Sequence, residues 1–148
     1  MRKVFLGVTV VALLLAPILR GQKLVGQKQL PRATSAAVLA RGRYLVEDTG
    51  LCGDCHTPLN EKGEPVEGQS LQGAPLSFKP TVPVPDWADK APKIAGLPGW
   101  EKDAAIKFLM TGIAYNGLPG RPPMPQYRFN QQDATAIVAY LKSLEPKK

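Results

Sequence analysis

The sequence predicts a small all-α domain of three to five helices that are joined by long loops rich in Pro and Gly. Three segments carry apolar residues at the i, i+3, i+4 spacing of a helix that buries one face. Most of the 14 Gly and 15 Pro residues lie outside those segments, where they favour turns and irregular backbone. The 148 residues fit one domain, which typically takes about 100–200 residues.

The first 21 residues have the layout of an export signal. Arg2 and Lys3 precede an apolar run over residues 4–19, as in a secretory signal peptide. The run is shorter than the ~20 apolar residues that usually cross a bilayer, and no clear cleavage site follows it. A cleaved signal peptide and an uncleaved membrane anchor both remain open for residues 1–21. Either predicts a periplasmic protein, soluble or anchored to the outer face of the inner membrane.

The domain is predicted over residues 34–148, after a polar and basic stretch at 22–33 that is typical of a linker. A first helix is predicted from residue 34 or 35 to 47, because Thr and Ser are good N-caps. Gly42 in its middle indicates that another element approaches closely there. The predicted apolar stripe of this helix consists of Ala37, Val38, Ala40, Tyr44 and Leu45.

Residues 57–99 form the longest predicted loop and hold eight Pro and five Gly. Residues 60–63 have the composition of a tight turn, which predicts one short hairpin around Gly63. Irregular loops of this length are uncommon in compact domains. The apolar content is also low for a globular domain once the first 20 residues are set aside. Both features predict a segment wrapped around a large apolar cofactor that completes the core.

Two further helices are predicted, over residues 101–111 and from residue 131 or 133 to 144. Acidic residues in the first turn and Gly112 after the last one are typical of the ends of the former helix. Its apolar face consists of Ala105, Ile106, Leu109 and Met110. The apolar face of the last helix consists of Ala134, Ile137, Val138 and Leu141.

Cys52, Cys55 and His56 form the C-x-x-C-H motif of covalent c-type haem attachment. Two thiols at this spacing can each form a thioether with one haem vinyl group, and the adjacent imidazole can then bind the iron. A zinc site would need a fourth ligand, but these are the only Cys and His residues in the chain. A redox-active Cys pair is expected in a βαβ context, whereas a Pro-rich loop follows here. The motif therefore predicts one covalently attached haem c with its iron.

Met124 is the predicted second axial ligand of that iron. A Met thioether is a usual partner for a haem-ligating His. Met110 lies on the apolar face of a predicted helix, where Met commonly fills the core. Met124 instead lies among three prolines, which stiffen the backbone around it. A five-coordinate haem with no Met ligand remains the alternative.

These motifs resemble a class I c-type cytochrome domain, and in particular the haem domains of cytochrome subunits of bacterial alcohol and aldehyde dehydrogenases. The resemblance covers roughly residues 36–144. It is carried by the C-x-x-C-H motif with Thr57 and Pro58, by 91–100, by 108–112, by the Pro-Pro-Met-Pro sequence at 122–125, and by 139–144.

The resemblance implies a small class I cytochrome c fold whose helices and loops wrap around one haem. The first and last helices would cross near Gly42, with Tyr140 or Ala139 filling the contact. Trp87 and Tyr127 are candidates to line the haem crevice or to donate a hydrogen bond to a haem propionate.

The resulting functional hypothesis is an electron carrier that is not itself an enzyme. It would move single electrons between a periplasmic dehydrogenase or respiratory complex and a terminal acceptor, docking transiently with its redox partners. A five-coordinate gas-sensing haem protein and a haem subunit of a dehydrogenase complex are the alternatives. No catalytic residues are predicted, because the chain shows no nucleophile or paired-carboxylate arrangement.

The basic net charge of +7 does not indicate a nucleic-acid partner. Arg2, Lys3 and Arg20 lie in the export segment, and its removal lowers the formal charge to +4. No basic run with interleaved aromatic residues is present in the sequence. The remaining predicted contact that is not with a protein is a membrane tether through the N-terminal segment.

Overall fold

The structure is a computed structural model that describes residues 35–145. The predicted signal or anchor at 1–21 and the predicted linker at 22–33 lie outside the described residues. The regular elements of residues 35–145 are mostly helical, with little sheet, which confirms the predicted all-α class. None of the helices in this range has the length and apolar character that a bilayer-spanning helix requires.

The described elements are α1 (Ser35–Tyr44), α2 (Gly53–His56), β1 (Ala74–Pro75), β2 (Lys90–Ala91), α3 (Lys102–Thr111) and α4 (Gln131–Ser143). A π-helical segment over Leu45–Thr49 continues α1. The two short strands pair antiparallel, with Ala74 opposite Ala91 and Pro75 opposite Lys90. The bounds of α3 and α4 lie within two residues of those predicted from the sequence.

Helices α1 and α4 cross at Gly42, as the resemblance implied. A Cβ atom at Gly42 would overlap the carbonyl group of Ala136 and lie 2.7 Å from Cβ of Tyr140. Tyr140 therefore fills the crossing, together with Ala136 rather than Ala139. Beside it, Arg41 makes an ion pair of 2.8 Å with Asp133 near the start of α4.

The face that α1 buries agrees only in part with the predicted one. Ala37, Ala40 and Tyr44 are exposed, and Val38 is half-buried. Leu45 is buried as predicted, together with Gly42 and Val46. Two causes act together. Close approach at Gly42 turns that side of the helix toward α4, and the wider π-helical turn then shifts the direction of the next side chains.

The 57–99 segment is an ordered wrap with internal hydrogen bonds. A bridge between Leu59 and Pro65 closes a turn around Gly63, which confirms the predicted hairpin. The Thr57 hydroxyl accepts from Leu71 N–H at 3.0 Å, and Leu71 C=O accepts from Ala95 N–H at 3.1 Å. Buried backbone groups are thus satisfied although little regular sheet is present.

The ends of α3 and α4 follow local signals. Gly112 terminates α3 in the left-handed conformation, with φ of 74°. Asn130 caps α4, because its side-chain oxygen accepts from Asp133 N–H at 2.9 Å. Both helices contribute to one core, whose members are Leu45, Val46, Leu71, Ala95, Leu97, Ala105, Ile137, Val138 and Leu141.

Candidate haem site

A cavity of about 520 Å³ opens beside the core and shares part of its wall with it. Its apolar wall comes mainly from α3, α4 and the end of the 57–99 wrap. The apolar residues that line it include Leu76, Ile94, Leu97, Trp100, Ala105, Phe108, Leu109, Phe129, Ile137, Val138 and Leu141. The low apolar content of the sequence is therefore matched by a cavity beside the core, which a large apolar group can fill.

Cys52 and Cys55 both line this cavity from α2 and the residue before it. The short helix forms because His56 N–H donates to Cys52 C=O at 3.0 Å, which closes one turn. The two cysteines form no disulfide with each other. Burial raises the pKa of the Cys52 thiol to about 11, so this thiol keeps its proton at neutral pH.

His56 is buried, and its ring is oriented by the backbone of the wrap. Its Nδ1 lies 2.7 Å from the carbonyl oxygen of Pro92. Since a carbonyl oxygen only accepts, Nδ1 carries the proton and Nε2 keeps its lone pair. Burial lowers the pKa of His56, and the hydrogen bond to Pro92 opposes this only in part. The neutral imidazole is the form that binds a metal.

Met124 lines the same cavity, whereas Met110 is not among its lining residues. A turn holds the Met124 backbone, with its N–H donating to Arg121 C=O at 3.0 Å. Gly120 leaves room for the neighbouring side chains, because a Cβ atom there would lie 3.1 Å from Phe108 Cζ and 3.7 Å from Met124 Cγ.

Arg121 attaches the Met124 loop to the wrap, a role that the sequence did not reveal. Its guanidinium donates to the carbonyl oxygens of Asp86 and Trp87, at 2.9 Å each. Ala88 N–H also donates to Pro122 C=O at 2.7 Å. The acceptors are backbone carbonyls, as at Pro92. Every residue has a backbone carbonyl, so the sequence does not show which of them accept.

Tyr127 lines the cavity next to the cysteines. Its hydroxyl donates to the carbonyl oxygen of Gly50 at 2.6 Å. Trp87 is not among the lining residues, although its neighbour Ala88 is. The Trp87 indole N–H is buried and finds no hydrogen-bond partner in the part of the chain that the structure describes. Five of the six residues predicted to bind the cofactor therefore line one cavity.

The donor set of this cavity fits a haem c. Two thiols, one neutral imidazole and one thioether line an apolar space, and these are the groups for two thioether links and two axial ligands. A zinc site does not fit, since residues 35–145 bring no three His, Cys, Asp or Glu side chains together as a metal site would.

Comparison with known proteins agrees with this chemistry. The family model described as Cytochrome c matches residues 39–145. The chain is 34% identical over 131 residues to the gluconate 2-dehydrogenase cytochrome c subunit of Pantoea cypripedii, covering 79% of this chain and 28% of that subunit. It is 31% identical over 118 residues to the cytochrome c subunit of the quinone-type alcohol dehydrogenase of Gluconacetobacter polyoxogenes, covering 73% of this chain and 25% of that subunit.

A third relative has a similar match. The fructose dehydrogenase cytochrome subunit of Gluconobacter japonicus is 31% identical over 117 residues, covering 72% of this chain and 22% of that subunit. The chain thus spans about a quarter of the length of these relatives. The match to the family model includes both cysteines, His56 and Met124. The chain belongs to the cytochrome c family, and its cofactor is one covalently attached haem c with its iron.

Proposed function

We propose that this protein carries single electrons between redox proteins, with His56 and Met124 as the two axial ligands of the haem iron. The observation that carries the proposal is that both side chains line one cavity with the two cysteines. His56 offers an unprotonated Nε2, because Nδ1 donates to Pro92. A bound haem c supplies an iron atom that gains or loses one electron at a time.

The two cysteines supply the covalent attachment. The thiols of Cys52 and Cys55 each add across one vinyl C=C bond. The sulfur binds one carbon of that bond, and the thiol hydrogen ends on the other carbon. The addition is redox-neutral overall, so it needs no oxidant. The attachment keeps the group in the cavity in both oxidation states.

The rest of the cavity wall controls water and polar contacts. The apolar side chains of α3 and α4 exclude water from the ligand atoms, which is one of the levers that set a reduction potential. Trp87 does not line the cavity, but its indole N–H is buried and has no partner among the described residues, and we propose that it would donate to a haem propionate. Tyr127 belongs to the wall on the cysteine side.

The redox partner is proposed from the relatives. Three of them are named as cytochrome subunits of gluconate, alcohol and fructose dehydrogenases. A dehydrogenase is therefore the favoured electron donor, with an oxidase or another carrier as the acceptor. This chain would act either as a free carrier or as the haem subunit of such a complex. The predicted export segment at 1–21 supports a periplasmic site for this exchange, with or without a membrane tether.

Binding of carbon monoxide to the reduced holoprotein tests the axial ligation. Wild-type protein should bind little carbon monoxide and, when oxidised, show the charge-transfer band of a Met-ligated haem. Met124→Ala should lose that band, bind carbon monoxide and have a lower reduction potential. Met110→Ala is the matched control and should behave as wild type. Wild-type protein that lacks the band and binds carbon monoxide would instead be a five-coordinate gas-binding protein.

A second measurement separates a carrier from an enzyme. The isolated holoprotein should accept electrons from a reduced dehydrogenase, yet it should not oxidise an alcohol, an aldehyde or a sugar acid on its own. Substrate turnover by the isolated protein would contradict the proposal.

A further inference from the structure

The Met124 loop is attached to the rest of the domain on both sides of Met124. On the upstream side, Arg121 donates to the backbone of Asp86 and Trp87. On the downstream side, Tyr127 donates to Gly50 C=O at 2.6 Å. The two attachments lead to different places, since the first reaches the wrap and the second reaches the segment just before Cys52.

The downstream attachment joins the Met124 side of the cavity to the haem-attachment side. A Cβ atom at Gly50 would lie 3.3 Å from Cys52 Sγ and 3.7 Å from the Tyr127 hydroxyl. The Gly50 backbone is itself held, because its N–H donates to Leu45 C=O at 2.8 Å. The Tyr127 hydroxyl thus ends on a rigid acceptor next to one of the two attachment thiols.

The orientation of Tyr127 is set by its ring as well as by its hydroxyl. The ring stacks on Phe129, with centroids 5.0 Å apart and planes inclined by 23°. Phe129 is fixed in turn, because its N–H donates to Leu109 C=O at 3.2 Å. Burial raises the pKa of Tyr127, so the hydroxyl remains a donor at neutral pH.

We propose that Tyr127 is a positioning residue for Met124, which acts by tying the Met124 loop to Gly50 and so to the Cys52 segment. This inference rests on the proposed His56 and Met124 ligation. When an external ligand replaces Met124, the loop must move away from the iron side of the cavity. The Tyr127–Gly50 bond opposes that movement. Loss of this bond should increase the fraction of molecules in which Met124 is displaced from the iron.

Imidazole binding to the oxidised holoprotein tests this role. Imidazole competes with Met124, so its apparent affinity reports the population of the displaced state. Tyr127→Phe keeps the ring stack and removes only the hydroxyl. We expect it to bind imidazole about three- to tenfold more tightly than wild type, the effect of losing one hydrogen bond. Covalent haem content should be unchanged.

Tyr140→Phe is the matched control. Tyr140 also donates its hydroxyl across the fold, to Glu47, but it is not among the residues that line the cavity. Removal of its hydroxyl should lower stability while leaving imidazole affinity within about twofold of wild type, because Tyr140 lies outside the cavity wall. An affinity gain in Tyr140→Phe equal to that in Tyr127→Phe would show a general loss of stability and overturn the positioning role.

The outcomes distinguish the inference from the function on which it rests. If Met124→Ala and wild type bind imidazole equally well, Met124 is not a ligand and the proposed ligation fails. If Met124→Ala binds more tightly than wild type but Tyr127→Phe does not, the ligation stands and the role of Tyr127 is overturned.

Discussion

Gly42 of α1 lies directly against the backbone carbonyl of Ala136 in α4. There is no space for a side chain at this position, because a Cβ atom would overlap that carbonyl and lie 2.7 Å from Tyr140 Cβ. The inner face of α4 that carries Ile137 and Val138 also forms part of the cavity wall. The close approach of α1 to α4 thus requires a glycine at position 42, and α4 in turn forms part of the cavity wall.

Gly42→Ala should lower the free energy of unfolding of the holoprotein by about 2–3 kcal/mol, because α1 must move away from α4. The better helix propensity of Ala, about 1 kcal/mol, does not compensate for a clash with backbone atoms. Urea denaturation measures the change. Gly53→Ala is the control, since among residues 35–145 a Cβ atom there meets only Thr57 Oγ1, at 3.5 Å. Equal stabilities of the two variants would contradict the close approach.

Tyr140 should make stability depend on alkaline pH. Its hydroxyl donates to Glu47, whose other oxygen accepts from Arg43 Nε at 2.8 Å. Burial and the negative charge of Glu47 raise the pKa of Tyr140 from 10.0 to about 12. A pKa raised on folding contributes stability that is complete below pH 10 and is lost as the pH rises through about 12.

Comparison of wild type with Tyr140→Phe checks this dependence. At neutral pH the variant should be less stable by about 1 kcal/mol, the usual net value of one hydrogen bond. The difference should shrink as pH rises above 10 and vanish above about 12. Unfolding free energies at several pH values provide the measurement, and a difference that stays constant over this range would exclude the Glu47 bond as its source.

The two cysteines should be required for the fold as well as for the cofactor. Cys52→Ser combined with Cys55→Ser removes every thiol from the chain, so no thioether can form. The apolar cavity of about 520 Å³ would then lack a covalently held occupant, and unfilled apolar volume destabilises a core in proportion to its size. We expect no covalent haem and little folded protein.

Haem staining after denaturing electrophoresis and circular dichroism measure the two effects. Each single Cys→Ser variant should keep one thioether and hence some covalent haem. Asp54→Ala is the control within the motif, since Asp54 contributes no attachment atom, and it should keep full haem content. Covalent haem in the double variant would contradict the assigned attachment.

Local features of the chain were enough to predict several parts of this protein. The bounds of α3 and α4 follow from helical periodicity and, for α3, from residues at the helix ends such as Gly112. The spacing of Cys52, Cys55 and His56 predicted the cofactor without knowledge of the fold. The prolines around Met124 distinguished it from Met110, and the structure brings Met124 alone of the two to the cavity.

Contacts between distant segments could not be predicted in this way. Which face of α1 is buried depends on how Gly42 meets Ala136, so Ala37, Ala40 and Tyr44 of the predicted stripe are exposed and only its Leu45 is fully buried. The partners of Arg121, Tyr127 and the His56 ring are all backbone carbonyls. Every residue has such a carbonyl, so only the folded chain shows which of them reaches hydrogen-bonding distance. Side-chain chemistry thus identified the cofactor, and long-range packing determined how its ligands are held.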